Sequence, residues 1–209
     1  KTQGRVARST AAQRRSIVKP TNILVNEHRI IEQVLNCLER MVDRCASEGK
    51  VEEAPVKDAI GFFREFAGCA HLAKEEAHLF PLVAGTKCPH GCRPSELMAR
   101  EEQHGHTHLQ MMEEAIERAA AGDKDAVQRF VRHGQDYIGL LMKYIENEED
   151  WLFPQADRAL DEAKQRVLGE RLQRDQSENQ CGGSHEEYVA IANRLADRFG
   201  VPRAQLIED

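Results

Sequence analysis

Seven residues of this 209-residue chain have side chains and spacings suited to metal chemistry: His28, His71 with Glu75, His104 with His108, and Tyr144 with Glu148. Each pair is four positions apart, so on a helix its members stand one above the other, about 6 Å apart, and aim two donors the same way. The chain also repeats itself. Glu75-Glu76-Ala77-His78-Leu79-Phe80-Pro81 and Glu148-Glu149-Asp150-Trp151-Leu152-Phe153-Pro154 share the pattern EExxLFP, displaced by 73 residues, which sets His71 opposite Tyr144 and implies two related helix pairs. Imidazoles and carboxylates buried together are costly unless a cation compensates them. Two cations sharing bridging carboxylates would satisfy all seven donors, and imidazole with oxygen donors and no thiolate suits iron or manganese better than structural zinc. The competing reading of any one histidine is a core imidazole with a protein partner. Four of them on inner faces, level with two repeated glutamates, favour the metal. Tyr144 stays open between a metal donor and a core tyrosine whose hydroxyl meets a carboxylate. His133 is its alternative if the fourth helix is shifted in register. Glu101, Tyr137 and His78 read as supporting or structural, and His106 as projecting from another side of the third helix.

The elements that must position these residues are helical. Apolar residues recur at helical spacing in four long segments, and strand-like alternation is nearly absent. The first opens at Pro20-Thr21-Asn22 and ends at Gly49, with the stripe Leu24, His28, Ile31, Leu35, Leu38, Val42 and Cys45. The second starts near Pro55, carries Val56, Ile60, Phe63, Ala67, His71, Glu75 and His78, and is expected to stop at Pro81. The third follows a Gly- and Pro-rich loop, with Ser95 as its expected cap, and ends at Gly122; its expected inner face is Leu97, Glu101, His104, His108, Met111 and Ala115. The fourth starts after Asp123, faces inward with Phe130, Tyr137, Leu141, Tyr144, Glu148 and Trp151, and is expected to end at Pro154. Four such helices with short connections predict an all-α, up-down-up-down antiparallel bundle over 20–154. Residues 155–209 read as a C-terminal helical extension packed on the bundle: a charged helix to 177, a breaker at Cys181-Gly182-Gly183-Ser184, and a short helix near 185–199. With so few large apolar side chains, this extension would make a poor independent core.

Composition narrows the functional classes. Lys1, Arg5, Arg8, Arg14, Arg15 and Lys19 are unopposed by any acid before Glu27, so the net charge of −6 divides into a +6 start and a −12 remainder. Residues 1–19 are read as a basic flexible arm. Nucleic acid is disfavoured as a partner, because the basic residues are not interleaved with aromatics on a folded element. No apolar run approaches the roughly 20 residues needed to cross a bilayer. The chain opens on Lys1 rather than Met, so upstream residues are expected to have been removed. Cys37 and Cys45 lie too far apart on one helix to bridge. Cys88 and Cys92 flank His90 in a loop that reads as a disulfide, a plain thiol pair or, with Cys181 or His185, a metal clip. Reduced thiols and a cytoplasmic location are the default expectation.

The run His28, His71-xxx-Glu75 within EExxLFP, His104-xxx-His108 and Tyr144-xxx-Glu148 resembles the hemerythrin-like, or HHE cation-binding, family of non-haem di-iron four-helix bundles, over about residues 20–154. The resemblance implies two oxo- or hydroxo-bridged iron ions, one on His104, His108 and Tyr144 and the other on His28 and His71, with Glu75 and Glu148 bridging. It also implies small-molecule ligands: peroxide, dioxygen or nitric oxide. Two departures shift the expected chemistry. Tyr144 stands where the family usually has a histidine, and His108 has no counterpart in many of its members. A phenolate favours ferric iron, which makes a poor oxygen carrier and suits a catalase- or peroxidase-like oxidoreductase, with Glu75, Glu148 and Tyr144 as its working residues. The alternatives are an oxygen, nitric oxide or iron sensor or storage protein without turnover, and a structural bundle with an incidental metal. The oligomeric state is left open.

Overall fold

A computed structural model describes residues 19–86, 94–178 and 181–207. The basic arm before Lys19, the Cys88/Cys92 loop and the side chains of Leu97 and Glu101 fall outside what the structure describes. The bundle consists of α1 (Asn22–Glu48), α2 (53–83), α3 (Pro94–Ala120) and α4 (124–158), followed by α5 (Glu162–Ser177) and α6 (His185–Phe199). The all-α bundle expected from the periodicity is the fold observed. Its punctuation is local chemistry. Gly49 takes the left-handed φ of 70° that ends α1, and its N–H bonds the carbonyl of Cys45 at 3.0 Å. The Asp123 carboxylate accepts the Ala126 N–H at 2.9 Å and starts α4. Ser184 and Glu187 form a reciprocal capping box at the start of α6.

Both EExxLFP repeats fold alike. Glu75–Leu79 and Glu148–Leu152 are π-helical, and each is followed by an α-helical turn that begins at the Phe-Pro pair. Pro81 and Pro154 therefore do not end their helices, as the sequence reading expects; α2 runs on to Val83 and α4 to Arg158. A proline in an α-helix collides with the carbonyl four residues back and cannot bond it. The wider π turn, which bonds five residues back, removes that conflict. A longer π stretch, Phe63–His71, lies upstream in α2.

The core is divided. A large apolar cluster, including Leu35, Leu38, Ile60, Phe63, Met112, Ile116 and Phe130, fills most of the bundle. A smaller one joins Leu24, Leu79, Val83, Leu152 and Phe153 to Leu168 and Leu172 of α5. Helix α6 lies against α1 and α2, and Tyr188, Leu195 and Phe199 enter the large cluster. Beyond it the chain is bonded along α1: Ala204 N–H to Gln33 Oε1 at 2.6 Å and Ile207 N–H to Asn26 Oδ1 at 2.7 Å. The thiols depart from the reduced default, since a disulfide joins Cys69 of α2 to Cys181, 112 residues away. Cys37 and Cys45 are free and buried, with burial pushing their thiols up to about 12 and about 11. No helix among the described residues is long and apolar enough to cross a membrane.

Candidate metal centre

Between the two apolar clusters lies a polar layer. His28 follows Leu24 by one turn on α1, His71 and Glu75 share a face of α2, and Glu148 opens the π turn of α4. All four are at most 3% exposed. One ligand atom from each lies within 4.8 Å of every other. His28 Nε2 is 3.1 Å from His71 Nε2 and 3.0 Å from Glu148 Oε2, and His71 Nε2 is 3.6 Å from Glu75 Oε1. The Phe153 ring stacks on His28 at 5.2 Å and fixes its plane.

The opposite ring nitrogens decide which way the lone pairs point. His28 Nδ1 meets Glu149 Oε1 at 2.9 Å, and Glu149 in turn binds Arg29 at 2.6 Å. His71 Nδ1 meets Glu27 Oε2 at 2.9 Å, and the other oxygen of Glu27 receives Lys74 Nζ at 2.7 Å and Gln176 Nε2 at 3.3 Å. Burial opposes ionisation of Glu27, but bonds from His71 and Lys74 outweigh it and hold the carboxyl down at about 2. Glu149 is likewise held low: burial is overcome by His28 and Arg29. Ionised carboxylates only accept, so both imidazoles must carry their proton on Nδ1. Burial lowers His28 to about 4 despite Glu149, which keeps that ring neutral near pH 7. Its Nε2 is then a bare lone pair aimed at the Nε2 of His71 and at a carboxylate.

Such an arrangement lacks a proton or a cation. Neither oxygen of Glu75 accepts a hydrogen bond, although the residue is fully buried. Burial raises its carboxyl above the usual range, with the charge of His71 acting the other way. A cation with bonds of about 2.1 Å holds neighbouring ligand atoms about 3.0 to 3.4 Å apart. The observed separations of 3.0, 3.1 and 3.6 Å bracket that span. Imidazole nitrogen with carboxylate oxygen suits an iron-type cation. Carboxylates behind both histidines are the usual support of such ligands.

A cavity of about 60 Å³ reaches the cluster from between α2, α3 and α4. Its walls are mostly apolar, among them Ile31, Phe63, Leu109, Leu141 and Ile145, and Tyr144 borders it beside His28, His71 and Glu148. The third helix differs from expectation. Its buried stripe is Gly105, Leu109, Met112, Ala115, Ile116 and Ala119, about 100° around from the expected face. His104 is exposed and lies outside the four-residue cluster, as does His108, which meets His133 instead. Glu102 and His106 are the polar residues of α3 that border the cavity. The cause is apolar area: burying Leu109, Met112 and Ile116 gains about 1.5–3 kcal/mol each, whereas His104 and His108 buried in their place would need partners. His106 Nε2 lies beside Gly68 of α2, where an added Cβ would be in ordinary contact at 3.6 Å.

The supports Glu27, Lys74, Glu149 and Gln176 went unread in the sequence. A trace of them is there: Glu27 directly precedes His28, and Glu149 is the second member of a repeated Glu-Glu pair. Gln176 left no such signal. His78 pairs with Asp175 of α5 at 2.6 Å, which ties the extension to α2.

No curated protein and no solved structure matches the chain. The family model for the hemerythrin HHE cation binding domain matches residues 19–156. That span holds α1 to α3, α4 to within two residues of its end, and every donor of the buried cluster, and it is well over half of the sequence; the chain belongs to the hemerythrin HHE cation-binding family.

Proposed function

We propose that the buried centre holds a carboxylate-bridged pair of iron ions and disproportionates peroxide. One observation carries this reading: the Nε2 atoms of two imidazoles lie 3.1 Å apart beside the carboxylates of Glu75 and Glu148, at the inner end of a small cavity. Bound iron would supply the redox change and the open positions that peroxide chemistry requires. The chain supplies the rest. Glu27 and Glu149 fix the ring tautomers, so both Nε2 atoms are committed to the centre. Glu75 and Glu148 supply negative charge and are suited to bridging. On the cavity side, Tyr144 is the expected donor to ferric iron, with His106 and Glu102 across the opening. The narrow apolar walls favour small uncharged ligands and keep anionic reductants and chelators out.

The test is dioxygen evolution from peroxide by the iron-loaded protein, set against the same quantity of free iron and against His71→Ala. Evolution well above free iron, lost in the variant, is expected. Evolution no greater than free iron overturns the enzyme reading. A second reading, a dioxygen or nitric oxide sensor, is favoured by the bond from Gln176 of α5 to Glu27, because it connects the extension to the residue that orients His71. In that case nitric oxide binds stoichiometrically without turnover and changes hydrogen exchange in α5.

A further inference from the structure

The histidine pair that α3 turns away from the centre meets partners elsewhere. His108 Nδ1 lies 3.0 Å from His133 Nδ1 of α4 and 4.0 Å from Asp136 Oδ2, one turn further along α4. The ring centroids are 5.2 Å apart and tilted by 51°. One ligand atom from each of the three falls within 4.8 Å of the others, and none of the three borders the cavity. His104 stands one turn before His108 on the same helix and is exposed.

We propose that His108, His133 and Asp136 form a second cation site, on the outer side of the α3/α4 pair, for a divalent first-row transition ion. The donor set is two imidazoles and one carboxylate, which suits borderline divalent cations. Bonds of about 2.1 Å require ligand atoms about 3.0 to 3.4 Å apart. The 3.0 Å His–His separation already meets this, and rotation of the exposed Asp136 side chain, moving its carboxylate by about 0.6 to 1 Å, closes the 4.0 Å. Without an ion, Arg132 Nη2 donates to His133 Nε2 at 3.1 Å, and His133 Nδ1–H then donates to His108. Metal binding moves that proton to Nε2 and frees both Nδ1 atoms, while the exposed Arg132 swings into solvent. The ion would pin α3 to α4 beside the cavity wall formed by Gly105, Leu109 and Tyr137. Exposure to water leaves the remaining coordination positions to solvent.

Cobalt(II) titrated into the iron-loaded protein tests this. One further equivalent is expected to bind with a visible d–d band, which zinc(II) then abolishes by competition. His108→Ala and His133→Ala should lose the band, and Asp136→Asn should weaken binding by at least about tenfold. Asp136 is exposed, so the Asn variant folds even if a histidine variant does not. His71→Ala, which disrupts the buried centre, should keep the band, so failure of the peroxide reading leaves this test intact. No additional cobalt in the wild-type protein, or equal binding in Asp136→Asn and both histidine variants, overturns the site.

Discussion

The two helix pairs share a sequence repeat and a backbone distortion, yet they treat the polar layer differently. The α1/α2 pair supplies His28, His71 and Glu75 from a closed side. There Glu27, Lys74 and Gln176 interlock, and α5 covers the end. The α3/α4 pair supplies Glu148 and the Glu149 that holds His28, and otherwise presents a cavity edged by Tyr144, Glu102 and His106. One half is thus built to hold and orient, the other to admit. A centre that reacts with a small molecule needs both, because donors rigid enough to bind tightly cannot also move aside for the ligand.

Substitutions at five positions would break or sharpen this contrast. The largest expected effect is on metal content: His71→Ala on the closed side should lose nearly all iron retained through purification, whereas His104→Ala on the open side should retain it, as read by elemental analysis. Equal loss in both would mean that α3 supplies a ligand through His104. Next is Glu27→Ala, which strands the buried Lys74 charge and should cost about 3–5 kcal/mol of stability. Chemical denaturation measures it, and Glu27→Gln should recover part. Gly134→Ala tests how closely the pairs approach across the bundle. A Cβ there would meet Val42 Cγ2 of α1 at 2.5 Å, so a loss of about 1–3 kcal/mol is expected. Tyr144→Phe should leave the fold and iron content nearly unchanged while removing a visible charge-transfer band from the ferric protein. Survival of the band would take Tyr144 off the iron.

Acid sharpens the same comparison. The Glu27 carboxyl is held at about 2, below its ordinary 4.5. Its contribution is therefore complete above the ordinary value and disappears as pH falls towards 2. The melting temperature of the wild-type protein should fall through this window more steeply than that of Glu27→Gln. Parallel curves would mean that Glu27 is not ionised in the fold.

Where the sequence was legible, one force dominated. The stripe from Leu24 through His28 to Cys45 is buried as read, because large apolar residues recur with only one histidine among them. On α3 two stripes compete: one runs through Leu109, Met112 and Ile116, the other through His104, His108 and Met111. Periodicity alone does not say which carries more apolar area into contact. Pro81 and Pro154 misled for a different reason, since a π turn ahead of each Phe-Pro pair lets the helix continue through the proline, and apolar periodicity does not report such a turn.

The sequence by itself determined the helix count, the helix boundaries at Gly49 and Asp123, and the level of the bundle at which His28, His71, Glu75 and Glu148 meet. Those follow from spacing and local chemistry, which act within a few residues. Only the tertiary structure decided the rotation of α3, the Cys69–Cys181 disulfide, and the pairing of His28 with Glu149 and of His71 with Glu27. Such choices compare contacts between residues 44 to 121 positions apart, and no local pattern carries their relative energies.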